Sequence, residues 1–308
     1  MNPTWAVNLL QTCMGLCPGE RVLALVDEPL RPAGEALCAA AGDLGAAAVA
    51  LRVVAGRRGL AVVPEAFLQQ VGAADVIVSL MSGLDLERES PFLRAGLAAF
   101  RAVGRGRWAA GACIDESVLQ EELNCDFQAV AAQTAETAAS LVGAEKVQIT
   151  TGAGTDLRFC LGGRPVYQDS GLLRTPGAYG NLPPGEAFVA PLEDSAEGRL
   201  VVDLSLGDIP LDEPVVLTFR GGLAVAVEGG AAARELARRL GADPRAWTLC
   251  EFGLGTNSGA HVRGRAPLDE KVLGTAHVAL GGNTHFGGRN AVDSHYDCVF
   301  LAERVRYF

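Results

Sequence analysis

The chain predicts an α/β protein: an N-terminal doubly wound parallel-sheet domain, then an α+β domain whose mostly antiparallel sheet carries a metal site. Three observations predict this. The first 145 residues alternate apolar strand-like runs with Ala- and Leu-rich helical segments. From Lys146 onward, short strand-like runs are separated by Gly, Pro and Asp turns. All four histidines lie between His261 and His295, late in that second part.

The elements justify themselves in order. Val22–Val26 (VLALV) is apolar throughout, and Pro32–Leu44 follows as a helix. Ala47–Val54 reads as a strand, Pro64–Val71 as a helix and Asp75–Leu80 as a strand. Pro91–Val103 is helical, Trp108–Ile114 a strand and Phe127–Val142 a long Ala-rich helix. Strands without polar alternation, separated by helices, imply a parallel sheet covered on both faces. A dinucleotide site would need G-x-G-x-x-G after the first strand, but the turn there is DEPLRPAG. Residues 1–145 are therefore expected to form a flavodoxin- or Rossmann-like domain without a nucleotide motif.

In residues 146–308 the strand-like runs are Val147–Thr151, Asp156–Leu161, Leu200–Leu206, Pro214–Arg220 and Leu223–Val227. FRGGLAV, with Gly221 and Gly222, predicts a hairpin turn. Ala231–Leu240 predicts a helix ended by Gly241. A second helix is expected from Asp269 to about Leu280, with Asp269 as N-cap and Glu270 in its first turn.

At 308 residues with 49% hydrophobic and 20% charged content, the chain is of ordinary globular composition. A chain this long buries roughly 75% of its surface, so it needs no metal or disulfide to fold. Any metal site is then expected to be functional. A net charge of −10 argues against nucleic acid or an anionic membrane as partner. The start, MNPTWAVNLLQTC, lacks a basic region, and no run approaches the ~18 apolar residues of a membrane span. The eight cysteines are scattered, with Cys13 and Cys17 a lone C-x3-C. Reduced thiols in a cytoplasmic protein are expected.

The histidine-rich end carries the chemistry. His295 and Asp297 are two residues apart before the apolar run CVFLA, so on a strand both project from one face. His277 falls near the end of the expected helix, and the linker GGNTHFGGRN contains four glycines. Glu251 sits in WTLCEFGLGTN and Glu186 in NLPPGEAFVAP, apolar contexts where a lone carboxylate is costly. The structural alternatives are a hydrogen-bonded core His277, a surface His295–Asp297 pair, and a Glu186 that reaches solvent from a strand end. Together the five residues offer three carboxylates and two imidazoles. That set suits two divalent ions about 3.5–4 Å apart.

The segments NLPPGEAFVAP, CEFGLGTN, DEKVLGTAHVALGGN and SHYD resemble, in order and approximate spacing, those of the thermophilic metallo-aminopeptidases (aminopeptidase T and aminopeptidase S). The likeness is strongest from about residue 181 and describes a short, divergent member. It implies that Glu186, Glu251, His277, His295 and Asp297 bind metal, and that the protein is a homodimer acting on a peptide or small molecule. The family's assisting tyrosine aligns with Thr284, beside His285. The implied activity is hydrolytic removal of N-terminal residues by a water activated between two zinc, cobalt or manganese ions. Glu251 would shuttle the proton and His285 would bind the oxyanion, while His261 has no expected role. An alternative of another class is open, because His277, His295 and Asp297 also fit the two-histidine, one-carboxylate triad of a non-haem iron oxygenase. The same wider family includes a ring-cleaving dihydroxypyridine dioxygenase, which would use Fe(II). The third possibility is a non-enzymatic metal-binding protein.

Overall fold

The computed structural model describes residues 3–54, 63–83 and 90–308. The chain divides into two compact units, Met1–Ala131 with Ser170–Pro184, and Ala132–Asp169 with Gly185–Phe308. A single boundary after residue 145 was expected; the division instead falls inside the Phe127–Leu141 helix. Among the described residues no helix is long and apolar enough to cross a membrane. All eight cysteines are free thiols.

The first unit is built on a five-stranded sheet. Its strands, numbered along the chain, are β1 (Arg21–Val26), β2 (Ala48–Val53), β3 (Val76–Leu80), β4 (Arg107–Gly111) and β8 (Tyr179–Leu182), in the order β2-β1-β3-β4-β8. Every pairing is parallel. β3 and β4 are buried along their whole length, as apolar runs between helical layers must be. The helix Pro91–Val103 starts at Ser90, whose hydroxyl accepts from the Leu93 amide, and ends at Gly104 with φ 67°. The fifth strand explains the returning segment. Tyr179–Leu182 pairs with Trp108–Gly111, so residues 170–184 belong with a sheet whose other strands come from much earlier in the chain.

The second unit holds two six-stranded sheets, antiparallel throughout. One contains β5 (Lys146–Thr150), β6 (Asp156–Cys160), β10 (Glu197–Val202), β12 (Val215–Arg220), β13 (Leu223–Glu228) and β17 (Arg304–Tyr307), in the order β13-β12-β10-β6-β5-β17. The other contains β7 (Val166–Asp169), β9 (Glu186–Val189), β11 (Ser205–Leu206), β14 (Leu249–Gly255), β15 (Thr275–Gly281) and β16 (His295–Leu301), in the order β11-β16-β15-β14-β9-β7. The predicted hairpin joins β12 to β13. Arg220 pairs with Leu223 across Gly221 and Gly222, which take φ 53° and 82° and so make the two-residue turn.

Apolar residues of both sheets and of the Ala231–Leu240 helix meet in one core, including Leu217, Phe219, Leu236, Phe252, Val278 and Phe300. That helix is capped from outside itself, since the Asp212 carboxylate accepts from the amides of Ala231 and Ala232.

The expected helix from Asp269 to about Leu280 is not formed. One helical turn, Ala266–Asp269, is followed by Gly274 at φ 94° and then by strand β15. Asp269 caps nothing downstream; its carboxylate accepts from the amides of Arg263 and Arg265 and closes the preceding loop. Ala276, Val278 and Leu280 fill the core, and β15 is paired on both sides, by β14 and β16. Pairing on both edges and burial of alternate side chains outweigh the modest helix propensity of Ala and Leu.

Candidate metal centre

One sheet face builds the centre. Residues paired across strands share a face, as do residues two apart along a strand. Ala187, Val189, Phe252, Val278, Cys298 and Phe300 point into the core. The intervening positions form the opposite face. Glu186 and Phe188 come from β9, Gly253 and Glu251 from β14, His277 from β15, and His295 and Asp297 from β16. The predicted projection of His295 and Asp297 from one strand face is what the structure has.

Glu251 reaches this face through an irregularity. Leu249 pairs with Leu280, both core residues, so strict alternation would turn Glu251 into the core as well. The register shifts between Leu249 and Glu251, with Cys250 the extra residue, and Glu251 then pairs with Ala279 on the polar face. Gly253 meets a second requirement there. A Cβ at this position would lie 2.2 Å from Cε1 and 2.3 Å from Nε2 of His277, so the imidazole occupies the space a side chain would fill.

Glu251 links two groups of potential ligands. Its Oε1 lies 3.4 Å from His277 Nε2, and its Oε2 lies 3.3 Å from His295 Nε2. Glu186 Oε2 stands 3.5 Å from His277 Nε2, and Asp297 Oδ1 stands 3.0 Å from His295 Nε2. The deep group is Glu186, Glu251 and His277; the outer group is Glu251, His295 and Asp297. Both are buried except for the His295 side chain, which is 30% exposed. His277 therefore does not join His295 and Asp297 in one triad. Each group has one imidazole and two carboxylates.

This donor set fits a divalent cation. It is oxygen and imidazole nitrogen, with both Nε2 atoms turned inward. His295 Nδ1 lies 3.2 Å from the Gly282 carbonyl, so a proton on Nδ1 leaves Nε2 as the free lone pair. Glu186 Oε2 is buried and makes no hydrogen bond, a costly state for a carboxylate oxygen unless a cation meets it.

The electrostatics agree. Burial pushes the Glu186 carboxyl up to about 8, against the pull of the Lys271 ammonium. For His277 burial acts downward, but the hydrogen bond to Glu251 and the charges of Glu186 and Glu270 raise it to about 9. For Glu251 burial acts upward and is outweighed by the two imidazoles, which hold its carboxyl below the ordinary value.

A cation invisible to the sequence argument sits behind the site. Lys271 is 1% exposed, and its Nζ lies 2.5 Å from Glu186 Oε1, 3.1 Å from Glu270 Oε1 and 3.7 Å from Asp169 Oδ2. Glu186 is thus committed on one oxygen and turned to His277 with the other. No local pattern marks a buried lysine, and Glu270 resembled an ordinary first-turn acid. Gly253 could have been found, because an isolated glycine in an apolar strand often marks a close approach. His285 and Thr284 lie on a short 3-10 turn, Thr284–Phe286, and both are exposed. Neither belongs to a ligand group among the described residues, and His261 is also exposed.

Aromatic rings flank the centre. Tyr167 and Phe188 stack at 5.6 Å between centroids, and Phe286 packs edge-on against both, at 6.5 and 5.6 Å. The Phe286 ring also meets the His295 imidazole edge-on at 6.2 Å.

Comparison with known proteins gives a family. The model of the 2,5-dihydroxypyridine 5,6-dioxygenase family (NicX) matches residues 116–305. A curated 2,5-dihydroxypyridine 5,6-dioxygenase of Pseudomonas putida KT2440 is 28% identical over 242 residues, which is 73% of this chain and 65% of that protein. The chain therefore spans just under two thirds of that relative. Among solved structures, 2,5-dihydroxypyridine dioxygenase from Pseudomonas putida KT2440 superposes with a TM-score of 0.73 at 22% identity, covering 98% of this chain and 93% of that one. Wild-type AmpT from Thermus thermophilus gives 0.75 at 18% identity, covering 98% and 92%. These structural likenesses establish the α/β fold with its parallel and antiparallel sheets. With AmpT the chain shares the fold. The expected hydrolase, a metalloprotease removing N-terminal residues from peptides, is overturned by the family match and the curated relative. Both are dioxygenases, and the dioxygenase alternative is the one they favour.

Proposed function

The chain belongs to the 2,5-dihydroxypyridine 5,6-dioxygenase family, and from that premise we propose that it is an iron-dependent ring-cleaving dioxygenase acting on a dihydroxypyridine or a closely similar hydroxylated ring. The observation that carries this is the outer ligand group, Glu251, His295 and Asp297, at the partly open end of a site lying wholly within the matched residues. Three protein ligands leave coordination positions for substrate oxygen and dioxygen, with one imidazole and two carboxylates here where the usual non-haem iron triad has two imidazoles and one carboxylate. Bound there, ferrous iron supplies the one-electron chemistry that lets ground-state dioxygen react with an electron-rich ring.

The remaining residues position and insulate. Glu186 and His277 complete the donor set at the deep end, and Lys271 pairs with Glu186 from behind. Phe286, Phe188 and Tyr167 supply an apolar flank that suits a flat aromatic ring and limits water at the centre. We take the protein to be a homodimer, as the resemblance to the aminopeptidases implies, a state that light scattering measures directly, and to be cytoplasmic, in keeping with its free thiols.

The test is anaerobic loading with Fe(II), metal analysis, then oxygen uptake on adding 2,5-dihydroxypyridine. Expected are iron bound at the centre, stoichiometric oxygen consumption and loss of the ring absorbance, all abolished in Asp297→Ala. Iron-loaded protein that consumes no oxygen with any dihydroxylated pyridine or benzene would refute the proposal.

A further inference from the structure

The most exposed of the candidate ligands is His295. It opens β16, its side chain is 30% exposed, and the connection before it, residues 282–294, contains three glycines and a single short 3-10 turn. The backbone of this connection is closed by bonds from the Gly282, Asn283 and Gly288 amides to the carbonyls of Ser294, Asn290 and Asn283. It supplies the Gly282 carbonyl that meets His295 Nδ1 at 3.2 Å.

A frame of side-chain amides adds to these bonds and ties the loop to the rest of the site. Asn283 is fully buried; its Oδ1 accepts from the Asn290 amide at 2.9 Å, and its Nδ2 donates to the Cys250 carbonyl at 3.2 Å. Cys250 is the bulge residue that turns Glu251 toward the metal, so one carboxamide ties the bulge to the loop. Asn290 closes the loop on itself, donating from Nδ2 to the Gly281 carbonyl at 2.6 Å and to the Arg245 carbonyl at 2.7 Å.

The frame is anchored at one point. Glu193 Oε1 accepts from Asn283 Nδ2 at 3.1 Å and from the Arg289 amide at 2.7 Å. Arg164 grips both Glu193 oxygens, at 2.9 and 2.6 Å, and itself donates to the Pro191 carbonyl. The Arg164 side chain is 9% exposed, so this is a largely desolvated, forked charge pair rather than a surface one.

We infer that Glu193 is a positioning residue for the metal centre: through Asn283 it fixes the Gly282 carbonyl on His295 Nδ1 and so keeps His295 Nε2 aimed at the metal. The inference rests on His295 being a ligand, as proposed above, and it adds a residue far in sequence from His295. Outer partners that orient a metal-bound imidazole typically contribute 10–100-fold in affinity.

The test uses Glu193→Gln, which keeps shape and removes charge, with Zn(II) as a diamagnetic probe. Three quantities are compared with wild type: Zn(II) affinity, solvent-exchange protection of the His295 Nδ1 proton in metal-free protein, and the thermal midpoint. The expected result is loss of Nδ1 protection and an affinity weakened at least tenfold, measured well below the unfolding temperature. Retained protection, or an affinity within twofold of wild type, overturns the inference, and a fall in thermal midpoint with protection unchanged does so too. If wild type binds no Zn(II), the metal assignment fails, while Nδ1 protection still decides whether Glu193 positions the ring. Asn283→Ser cuts the same bridge from the loop side and is judged by the same readings should Glu193→Gln not fold.

Discussion

Adding one methyl group to Gly253 should dismantle the deep half of the metal site without touching a ligand. A Cβ there would lie 2.2 Å from His277 Cε1, whereas carbon atoms pack at about 3.5–4.0 Å. The mismatch exceeds an ångström, and the neighbours give little. Gly253 pairs with Phe188 on one side and His277 on the other, in strands buried along most of their length. The backbone is held, so the imidazole must leave its position. Overpacking of this kind costs about 1–3 kcal/mol, and tilting Nε2 away from Glu251 and Glu186 removes one inner ligand. Titration of metal-free Gly253→Ala with Co(II) should show affinity reduced at least tenfold. A double-mutant cycle separates cause from general damage. In His277→Ala the space is empty, so adding Gly253→Ala should then cost almost nothing in urea-unfolding stability, giving a coupling of about 1–3 kcal/mol. Additive costs, or wild-type Co(II) affinity in Gly253→Ala, would refute the steric argument.

Three more expectations follow from the charges. Lys271→Met leaves Glu186, Glu270 and Asp169 facing one another without a cation, so stability at neutral pH should fall by about 3–5 kcal/mol in urea unfolding, with part recovered on adding Glu186→Gln. His277 is raised to about 9 in the metal-free protein, above its unfolded value near 6.5. The stability it contributes is complete below about pH 6.5 and is lost as pH climbs through 9, while metal, which must displace that proton together with those on Glu186 and His295, binds at least tenfold more tightly per pH unit below about 8. Co(II) titrations from pH 6 to 9 should show that slope in wild type and a shallower one in His277→Gln. Burial alone would raise Glu193, but Arg164, the Arg289 amide and Asn283 hold it down to about 2. Its contribution is present above about pH 4.5 and disappears as pH falls through 2, so the stability gap between wild type and Glu193→Gln should narrow between those values.

What could be read from the sequence was whatever depends on local period. The parallel strands of the first unit, the Gly221–Gly222 hairpin and the shared face of His295 and Asp297 are short-range patterns, and each is present. The segment after Asp269 misleads because Ala, Val and Leu at successive positions serve a helix or a two-sided strand equally well. Only its pairing with β14 and β16 decides, and those partners are distant in sequence. Tyr179–Leu182 joins the first sheet for the same kind of reason. The ligands were legible as acids and imidazoles in apolar runs, a signal of cost. Their division into two groups around Glu251 was not, since it follows from a one-residue register shift at Cys250.

That shift also bears on why a peptidase-like motif set can serve oxygen chemistry. The bulge places Glu251 between the imidazoles, one oxygen to each, so the same carboxylate closes a deep group and an outer group. The deep group is nearly sealed, with His277 1% and Glu186 4% exposed, and its acid is already paired with a buried ammonium. The outer group is the accessible one, through His295, and it is the group beside the Phe286 ring. Under the proposed function, substrate chemistry belongs to the outer group, and the deep group holds Glu251 in place from behind. On this argument Asp297→Ala should abolish turnover outright, while Glu186→Gln should leave measurable oxygen consumption in iron-loaded protein. Equal loss in both would mean that the two groups work as one.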